Sequence, residues 1–200
     1  MYITKTALGG FCVYYTYSMN FVLPGKFVVP EVVTSQFLLN EGDKVADLGA
    51  GSGFFLKPLT AAVGPAGKVY ACEIQKALVE KLGELARLQG LSNVITLWCD
   101  LEEVNGIKIP TNTLDAAILV NTLFQFKLKE VALEEIRRTL RPGGVLHVID
   151  WSESYGGIGP QPQDVVTKEA AIQLCEAAHL AFEREFTAGE HHYGFTVRKV

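Results

Sequence analysis

Val45-Ala46-Asp47-Leu48-Gly49-Ala50-Gly51-Ser52-Gly53-Phe54-Phe55 is a hydrophobic strand that runs into a glycine-rich turn with an acid at its mouth. Glycines at alternate positions let the backbone turn sharply off a strand end. They also let it approach a ligand closely, because a side chain at any of them would fill that space. The turn therefore reads as the edge of a nucleoside-cofactor site. Asp47 narrows the choice of ligand. A dinucleotide site rests its pyrophosphate on the amino end of the next helix, and a carboxylate on the turn opposes an anion there, whereas a cationic ligand tolerates it.

On either side of this turn, short β-rich runs alternate with longer helical patterns, as in a parallel sheet covered by helices on both faces. Lys44 to Leu48 is the first strand, followed by a helix over Phe54 to Val63, with Pro65 and Gly67 closing the loop. Lys68 to Glu73 is the second strand. The helix Gln75 to Gln89 follows it, with Leu78, Val79, Leu82, Leu85, Ala86 and Leu88 near helical spacing and Gly90 at its cap. Val94 to Cys99, Leu114 to Val120 and Val145 to Trp151 are the next three strands, and a helix over Val131 to Leu140 is stopped by Arg141-Pro142-Gly143-Gly144. A helix over Thr167 to Ala178 precedes two strands, Phe182 to Thr187 and Tyr193 to Val200. The short link Ala188-Gly189-Glu190 makes those two an antiparallel hairpin. The fold class is α/β, a doubly wound Rossmann-like sheet of seven strands, mostly parallel, with a C-terminal antiparallel hairpin. Residues 30–200 form this domain, with its first helix starting after Pro30, and residues 1–29 form an aromatic-rich arm or lid. The Gly- and Pro-rich loop over residues 152–164 would lie, like the arm, near the carboxyl ends of the strands.

A chain of 200 residues with 48% hydrophobic content is enough for one sizeable core. Its net charge of -4 argues against a nucleic-acid face built on bulk positive charge. Cys12, Cys72, Cys99 and Cys175 are scattered without a CxxC pair, which argues against zinc and a disulfide framework and for a reducing cytoplasm. No apolar run reaches the roughly 18 to 20 residues of a bilayer span, since Gly9 to Leu23 is interrupted by Thr16, Ser18 and Asn20. A signal cleavage pattern is also lacking. The expectation is a cytoplasmic protein with no nucleic-acid partner and no stable membrane insertion.

Other pieces stand in order with VADLGAGSGFF: an acid ending the next strand at Glu73, Cys99-Asp100 ending the third, LDAAILVN ending the fourth, and LRPGGVLHVIDW before and through the fifth. Together they resemble the class I S-adenosylmethionine-dependent methyltransferases, over roughly residues 30–200. GKF before a proline-led helix, VGPAGKVYACEIQ, and DW before a Gly-Pro-rich loop are similar to the small UbiE-like or arsenite-type branch. The resemblance implies S-adenosylmethionine as cofactor and methyl transfer to a small-molecule acceptor. It lays the methionine part of the cofactor against Gly49, Ala50, Gly51, Ser52 and Gly53, with Asp47 near its amino end. Glu73 falls on the ribose hydroxyls, where two geminal oxygens suit a vicinal diol, and it stands about twenty residues after the glycine turn, as ribose-binding acids do. Asp100 would receive the adenine amino group, Leu101 would offer backbone to the ring, Ile74 would pack on its face, and Asn121 would sit beside the sulfonium. Simpler readings exist for each: Asp47 and Asp100 as caps, Glu73 as a solvated strand-end carboxylate, Ile74 as core, and Asn121 as a turn former.

The sulfonium is already a good leaving group, so the protein must supply in-line placement and exclusion of water, with a base only if the acceptor arrives protonated. No catalytic residue and no metal ligand is assigned. Small-molecule members of the family often carry histidines where this chain has Phe124 and Gln125. Asp150 either orients a substrate or caps a loop, and His147 reads as a core or sheet-face residue. His191 and His192 read as an exposed polar turn in preference to a metal trio with Glu190 and Tyr193. Phe27 and Val28 close over the cofactor. Tyr14, Tyr15, Tyr17 and Phe21 pack on the body or on a second subunit, which allows a homodimer through the arm. Arg137, Arg138 and Arg141 match a helix dipole. Arsenite as acceptor is disfavoured, because Cys72 and Cys99 lie on strands towards the adenine. Two rivals remain. A non-catalytic S-adenosylmethionine-binding protein would share the motifs without an open acceptor pocket. A nicotinamide-dependent oxidoreductase would read Gly-x-Gly-x-x-Gly where this turn reads Gly-x-Gly-x-Gly.

Overall fold

The structure, a computed structural model, describes residues 27–200 with their side chains and the backbone of residues 3–8 and 11–16. The side chains of Tyr14 and Tyr15, and Tyr17 and Phe21 altogether, lie outside the described residues. Strands β1 (Ile3–Leu8) and β2 (Phe11–Thr16) pair antiparallel, Ile3 opposite Thr16 and Leu8 opposite Phe11, where the sequence reading had placed no strand. Helix α1 (Pro30–Thr34) begins on its proline with Glu31 in the first turn, as expected.

The main sheet contains β3 (Lys44–Leu48), β4 (Lys68–Glu73), β5 (Val94–Trp98), β6 (Leu114–Val120), β7 (Leu140–Trp151), β8 (Leu180–Phe186) and β9 (His192–Lys199), in the order β5-β4-β3-β6-β7-β9-β8. The first five of these pair in parallel, and β9 runs antiparallel to both β7 and β8. This is the doubly wound sheet with a terminal hairpin that the sequence predicts. Helices α2 (Leu56–Val63), α3 (Lys76–Leu88), α4 (Lys129–Thr139) and α5 (Lys168–Ala177) cover it. Alternation along each strand feeds two cores. Val45, Val69, Ala116 and Ile118 meet Leu56, Leu59 and Val63 on one face, while Ala46, Leu48, Ala117 and Leu119 meet Leu133 and Ile136 on the other. Leu48 and Leu119 are fully buried, each stabilising the fold by about 1.5–3 kcal/mol.

Three local features differ from the sequence reading. Helix α2 starts at Leu56 and not Phe54, because the turn that follows the glycines runs through Phe55, and Phe54 is left exposed. The Arg141-Pro142-Gly143-Gly144 stretch is not a turn outside the sheet but an irregularity within β7. Leu140 already pairs with Leu114, the next registered pair is Ala116 with Val145, and the residues between bulge out. The hairpin strands β8 and β9 start at Leu180 and His192, ahead of the expected Phe182 and Tyr193.

Strand β3 pairs with β4 on one side and β6 on the other, so the chain direction of winding reverses there. Such a switch point leaves a crevice outside the carboxyl ends of the strands, where open α/β sheets bind ligands. Among the described residues, no helix is long and apolar enough to cross a membrane.

Candidate cofactor site

The turn after β3 is held by the strand beside it. Gly49 and Ala50 both donate their amides to the Cys72 carbonyl, at 2.9 and 3.0 Å, and Gly53 donates to the Ala50 carbonyl at 2.8 Å. The three glycines have positive φ, and each is needed for a different reason. A Cβ on Gly49 would lie 2.8 Å from Thr122 Oγ1, and one on Gly53 would lie 2.8 Å and 2.9 Å from the side chains of Leu82 and Leu85. A Cβ on Gly51 would meet no atom closer than the Gly49 carbonyl oxygen at 4.0 Å. The space over Gly51 is thus open, and the turn forms a cradle.

Glu73, at the end of β4, is 7% exposed and completes this cradle. Its Oε2 accepts the Gly51 amide at 3.1 Å and its Oε1 accepts the Gln75 amide at 2.9 Å. A carboxylate oxygen has two lone pairs, so each keeps capacity for one further donor. Asp47 is 3% exposed beneath the turn. Burial, reinforced by the Glu73 charge, pushes its carboxyl up to about 7. It does not cap the following helix, whose capping position is Phe55 with no side-chain bond.

A cavity of about 750 Å³ extends from this cradle along the strand ends, within the roughly 300–1,000 Å³ typical of small-molecule sites. Asp47, Gly49, Ala50, Gly51, Ser52 and Glu73 form one part of its wall, and Ile74, Asp100, Leu101 and Asn121 another. Gly53 alone of the sequence candidates does not line it, because it is spent on packing against α3. Ile74 is 52% exposed, which removes its reading as core, and its carbonyl accepts the Trp98 indole N–H at 2.7 Å. No helix follows Asp100, so it is not a helix cap; its Oδ1 accepts the Glu102 amide at 3.0 Å in a turn, and it lines the cavity. Asn121 is a turn residue with φ of 53°, and its carbonyl accepts the Gln125 side-chain amide at 2.7 Å. Its Oδ1 is buried without a hydrogen-bond partner, an acceptor left open in the cavity wall.

Phe27 and Val28, expected to close over the cofactor, line the cavity, whereas the sequence reading missed that Trp151 and His192 join Phe27 in an aromatic end, with Phe27 and Trp151 ring centroids 5.8 Å apart and Trp151 and His192 4.3 Å apart. His192 Nδ1 lies 2.8 Å from the Glu190 carbonyl oxygen, which can only accept, so Nδ1 carries the hydrogen. Burial holds its pKa below the usual histidine range. The signal that would have placed His192 here is register: it is the first residue of β9 and sits opposite Trp151 at the carboxyl end of β7. His191 is instead bonded to Glu153 at 2.6 Å and stacked on Tyr155, centroids 3.7 Å apart. Thr122, Gln125 and Phe126 also line the cavity and were not singled out as ligand contacts. Among the described residues, no three His, Cys, Asp or Glu side chains converge to hold a metal ion.

Asp150 is a loop cap. It is 1% exposed and accepts the Phe124 amide at 3.0 Å and the Trp151 amide at 2.8 Å. Burial pushes its carboxyl up to about 6. His147 is a core residue stacked on Phe37, centroids 4.3 Å apart, and bonded to Thr196 at 2.9 Å, and burial pushes its pKa down to about 3. Arg138 does more than match a dipole, because it clamps the Ile107 and Ile109 carbonyls at 2.9 and 3.0 Å.

A seven-stranded sheet in this order, with a glycine cradle at its switch point and an acid closing the next strand, is the architecture of class I S-adenosylmethionine-dependent methyltransferases. The chain belongs to that family: residues 39–190 match the profile described as "Methyltransferase domain". It is 32% identical over 121 residues to the ubiquinone/menaquinone biosynthesis C-methyltransferase UbiE of Burkholderia multivorans, covering 60% of this chain and 48% of that one. The UbiE of Cupriavidus taiwanensis is 30% identical over 114 residues, covering 57% and 45%. The chain thus spans about half the length of these curated relatives. Among solved structures, a SAM-dependent methyltransferase from Aquifex aeolicus superposes with a TM-score of 0.80 at 31% identity, over 87% of this chain and 91% of that one. The [4+2]-cyclase SpnF has a TM-score of 0.71 at 18% identity, over 84% and 81%, a likeness of fold alone.

Proposed function

We propose that this chain binds S-adenosylmethionine in the cavity and transfers its methyl group to a small organic acceptor. One observation carries the reading: the open cradle over Gly51, bordered by a Glu73 carboxylate that is already hydrogen-bonded on both oxygens and keeps room for a diol. The unpartnered Asn121 Oδ1 and the buried Asp47 suit the cationic end of the same molecule, and Asp100 and Leu101 suit its base. An Asp47 carboxyl raised to about 7 gains its charge readily beside a ligand ammonium.

When bound, the cofactor supplies an electrophilic methyl on a leaving group that needs no acid. The chain's own residues then position the acceptor and keep water out. Phe27 and Trp151 wall the far end of the cavity with apolar surface, and the neutral His192 beside them offers a polar edge without a charge. The cavity continues past the glycine turn to this aromatic end, which favours catalysis over a purely binding role. Residues 1–29 are proposed as an aromatic-rich arm or lid, of which Phe27 and Val28 line the cavity. The UbiE relatives, named for C-methylation in quinone biosynthesis, support an organic acceptor. A reducing cytoplasmic setting is in keeping with Cys72, Cys99 and Cys175, which are free and buried. A second copy docked through the arm is the remaining assembly proposal, and a monomeric sedimentation profile at all concentrations would remove it.

The test is incubation of the full chain with methyl-labelled cofactor and a broad panel of small organic acceptors. Label appearing in an acceptor supports the assignment. Cofactor binding without transfer across the panel points to the non-catalytic reading, and binding of NADH in place of S-adenosylhomocysteine overturns both.

A further inference from the structure

His192 is the first residue of β9 and stands opposite Trp151 of β7. The Ser152 amide donates to the His191 carbonyl at 2.9 Å, so the backbone pairing of the two strands continues past His192 and fixes it on both sides. The ring is held as well. It lies against Trp151 at 39° between planes, and its Nδ1 donates to the Glu190 carbonyl at 2.8 Å. Trp151 is pinned in turn by the Gly- and Pro-rich loop. A Cβ on Gly159 would lie 2.5 Å from Trp151 Cε2, so the bare backbone of a glycine is what packs on the indole.

With the hydrogen on Nδ1, the other ring nitrogen carries a lone pair and accepts. Nε2 is buried without a hydrogen-bond partner, in a residue that lines the cavity. Buried polar atoms are nearly always satisfied by protein, water or ligand, so an orphan in a cavity wall marks where a ligand donor belongs. Two other polar groups of the wall are occupied: Thr122 Oγ1 donates to the Val120 carbonyl at 2.9 Å, and the Gln125 side-chain amide donates to the Asn121 carbonyl at 2.7 Å. Asn121 Oδ1 is also unpartnered, but Asn121 adjoins Thr122, which packs on Gly49 of the cradle. His192 is therefore the open acceptor at the aromatic end.

We propose that His192 receives the methyl acceptor, its Nε2 accepting a hydrogen bond from an O–H or N–H on a flat apolar molecule seated against Phe27 and Trp151, and taking that proton as the methyl group is transferred. This rests on the cofactor reading of the same cavity. A lone pair on the acceptor's oxygen or nitrogen forms the bond to the methyl carbon, and the carbon–sulfur bond breaks with its pair left on sulfur. The pair of the broken O–H or N–H bond stays on the acceptor atom, and the proton passes to Nε2 and then to water. Burial, with His191 beside it, holds the ring below the usual histidine range against the opposing pull of the Glu190 carbonyl, so Nε2 is open to a donor and gives the proton up again. An acceptor with no hydrogen to donate, such as a tertiary amine or a thioether, leaves Nε2 unpaired and is selected against.

The probes are p-cresol and p-xylene, which share a ring and differ by a hydroxyl in place of a methyl. Apolar walls alone favour p-xylene, whose methyl gains more on leaving water, so a preference for p-cresol reports a hydrogen bond. Each is titrated by calorimetry into the full chain saturated with S-adenosylhomocysteine. Wild type should bind p-cresol at least about tenfold more tightly than p-xylene. His192→Phe, which keeps a ring in place, should lose the preference, and His192→Gln, whose amide oxygen accepts where Nε2 does, should retain part of it. Equal or tighter binding of p-xylene by wild type, binding of neither probe, or a p-cresol preference that survives His192→Phe overturns the proposal. A protein that does not bind S-adenosylhomocysteine defeats the cofactor reading, and the same titration without it still decides whether His192 selects an O–H.

Discussion

The Gly51 amide donates to Glu73 Oε2 at 3.1 Å, joining the tip of the glycine turn after β3 to the acid that ends β4. The two motifs that the sequence displays 22 residues apart are thus one preformed unit. The acid is fixed by the same backbone that forms the cradle, so little ordering remains to be done when a ligand arrives.

Glu73→Ala removes both the ligand carboxylate and the acceptor for the Gly51 and Gln75 amides. Binding of S-adenosylhomocysteine should weaken by about 1–3 kcal/mol, the range for loss of a charged hydrogen-bond partner. Unchanged affinity would refute the ribose role.

The glycines should separate by phenotype. Gly51→Val projects into open cradle space and should abolish S-adenosylhomocysteine binding, and its φ of 53° strains the β-branched residue so that some melting temperature is lost too. Gly53→Ala meets Leu82 and Leu85 at 2.8 and 2.9 Å and should lower the melting temperature while S-adenosylhomocysteine still binds. If Gly53→Ala loses binding as completely as Gly51→Val, the division between cradle and packing glycines is wrong.

How far these roles could be read in the sequence depends on where the information lies. The strand β6 matched residue for residue, and Gly49, Gly51, Glu73 and Asp100 were legible because strand ends and turns have local signatures. Gly53 carries the same signature as Gly51, and only the approach of Leu82 and Leu85 from α3 separates them. Trp151 and His192 meet through antiparallel register across 41 positions, information that no local pattern holds. The bulge over residues 141–144 was mistaken for a turn, because Pro and Gly mark both, and only the Leu140–Leu114 pair distinguishes them.

Asp47 sets a pH dependence. Its folded pKa of about 7 lies above the ordinary 3.8, so its neutral form is the one the fold prefers. That contribution is full below about pH 4 and is lost as pH rises through about 7. Asp47→Asn should therefore melt progressively higher than wild type as pH rises from 4 to 8, while S-adenosylhomocysteine affinity rises with pH in wild type only. A melting difference that stays constant over this range would contradict the assignment.

Arg138 makes two bonds to Glu135, at 2.9 and 3.0 Å, and two to loop carbonyls. Glu135 is only 4% exposed, so Arg138→Ala strands a buried carboxylate and should cost about 3 kcal/mol in urea unfolding. Lysine should not restore this, since it lacks the planar fork. Full rescue by Arg138→Lys would show that charge alone suffices.

The central claim is that the cavity around Gly51 and Glu73 is built for S-adenosylmethionine, and calorimetric titration of the full chain tests it most directly. S-adenosylhomocysteine should bind wild type one to one, lose all measurable heat with Gly51→Val, and be unaffected by excess NADH. Equal binding by Gly51→Val and wild type, or displacement by NADH, would contradict the account.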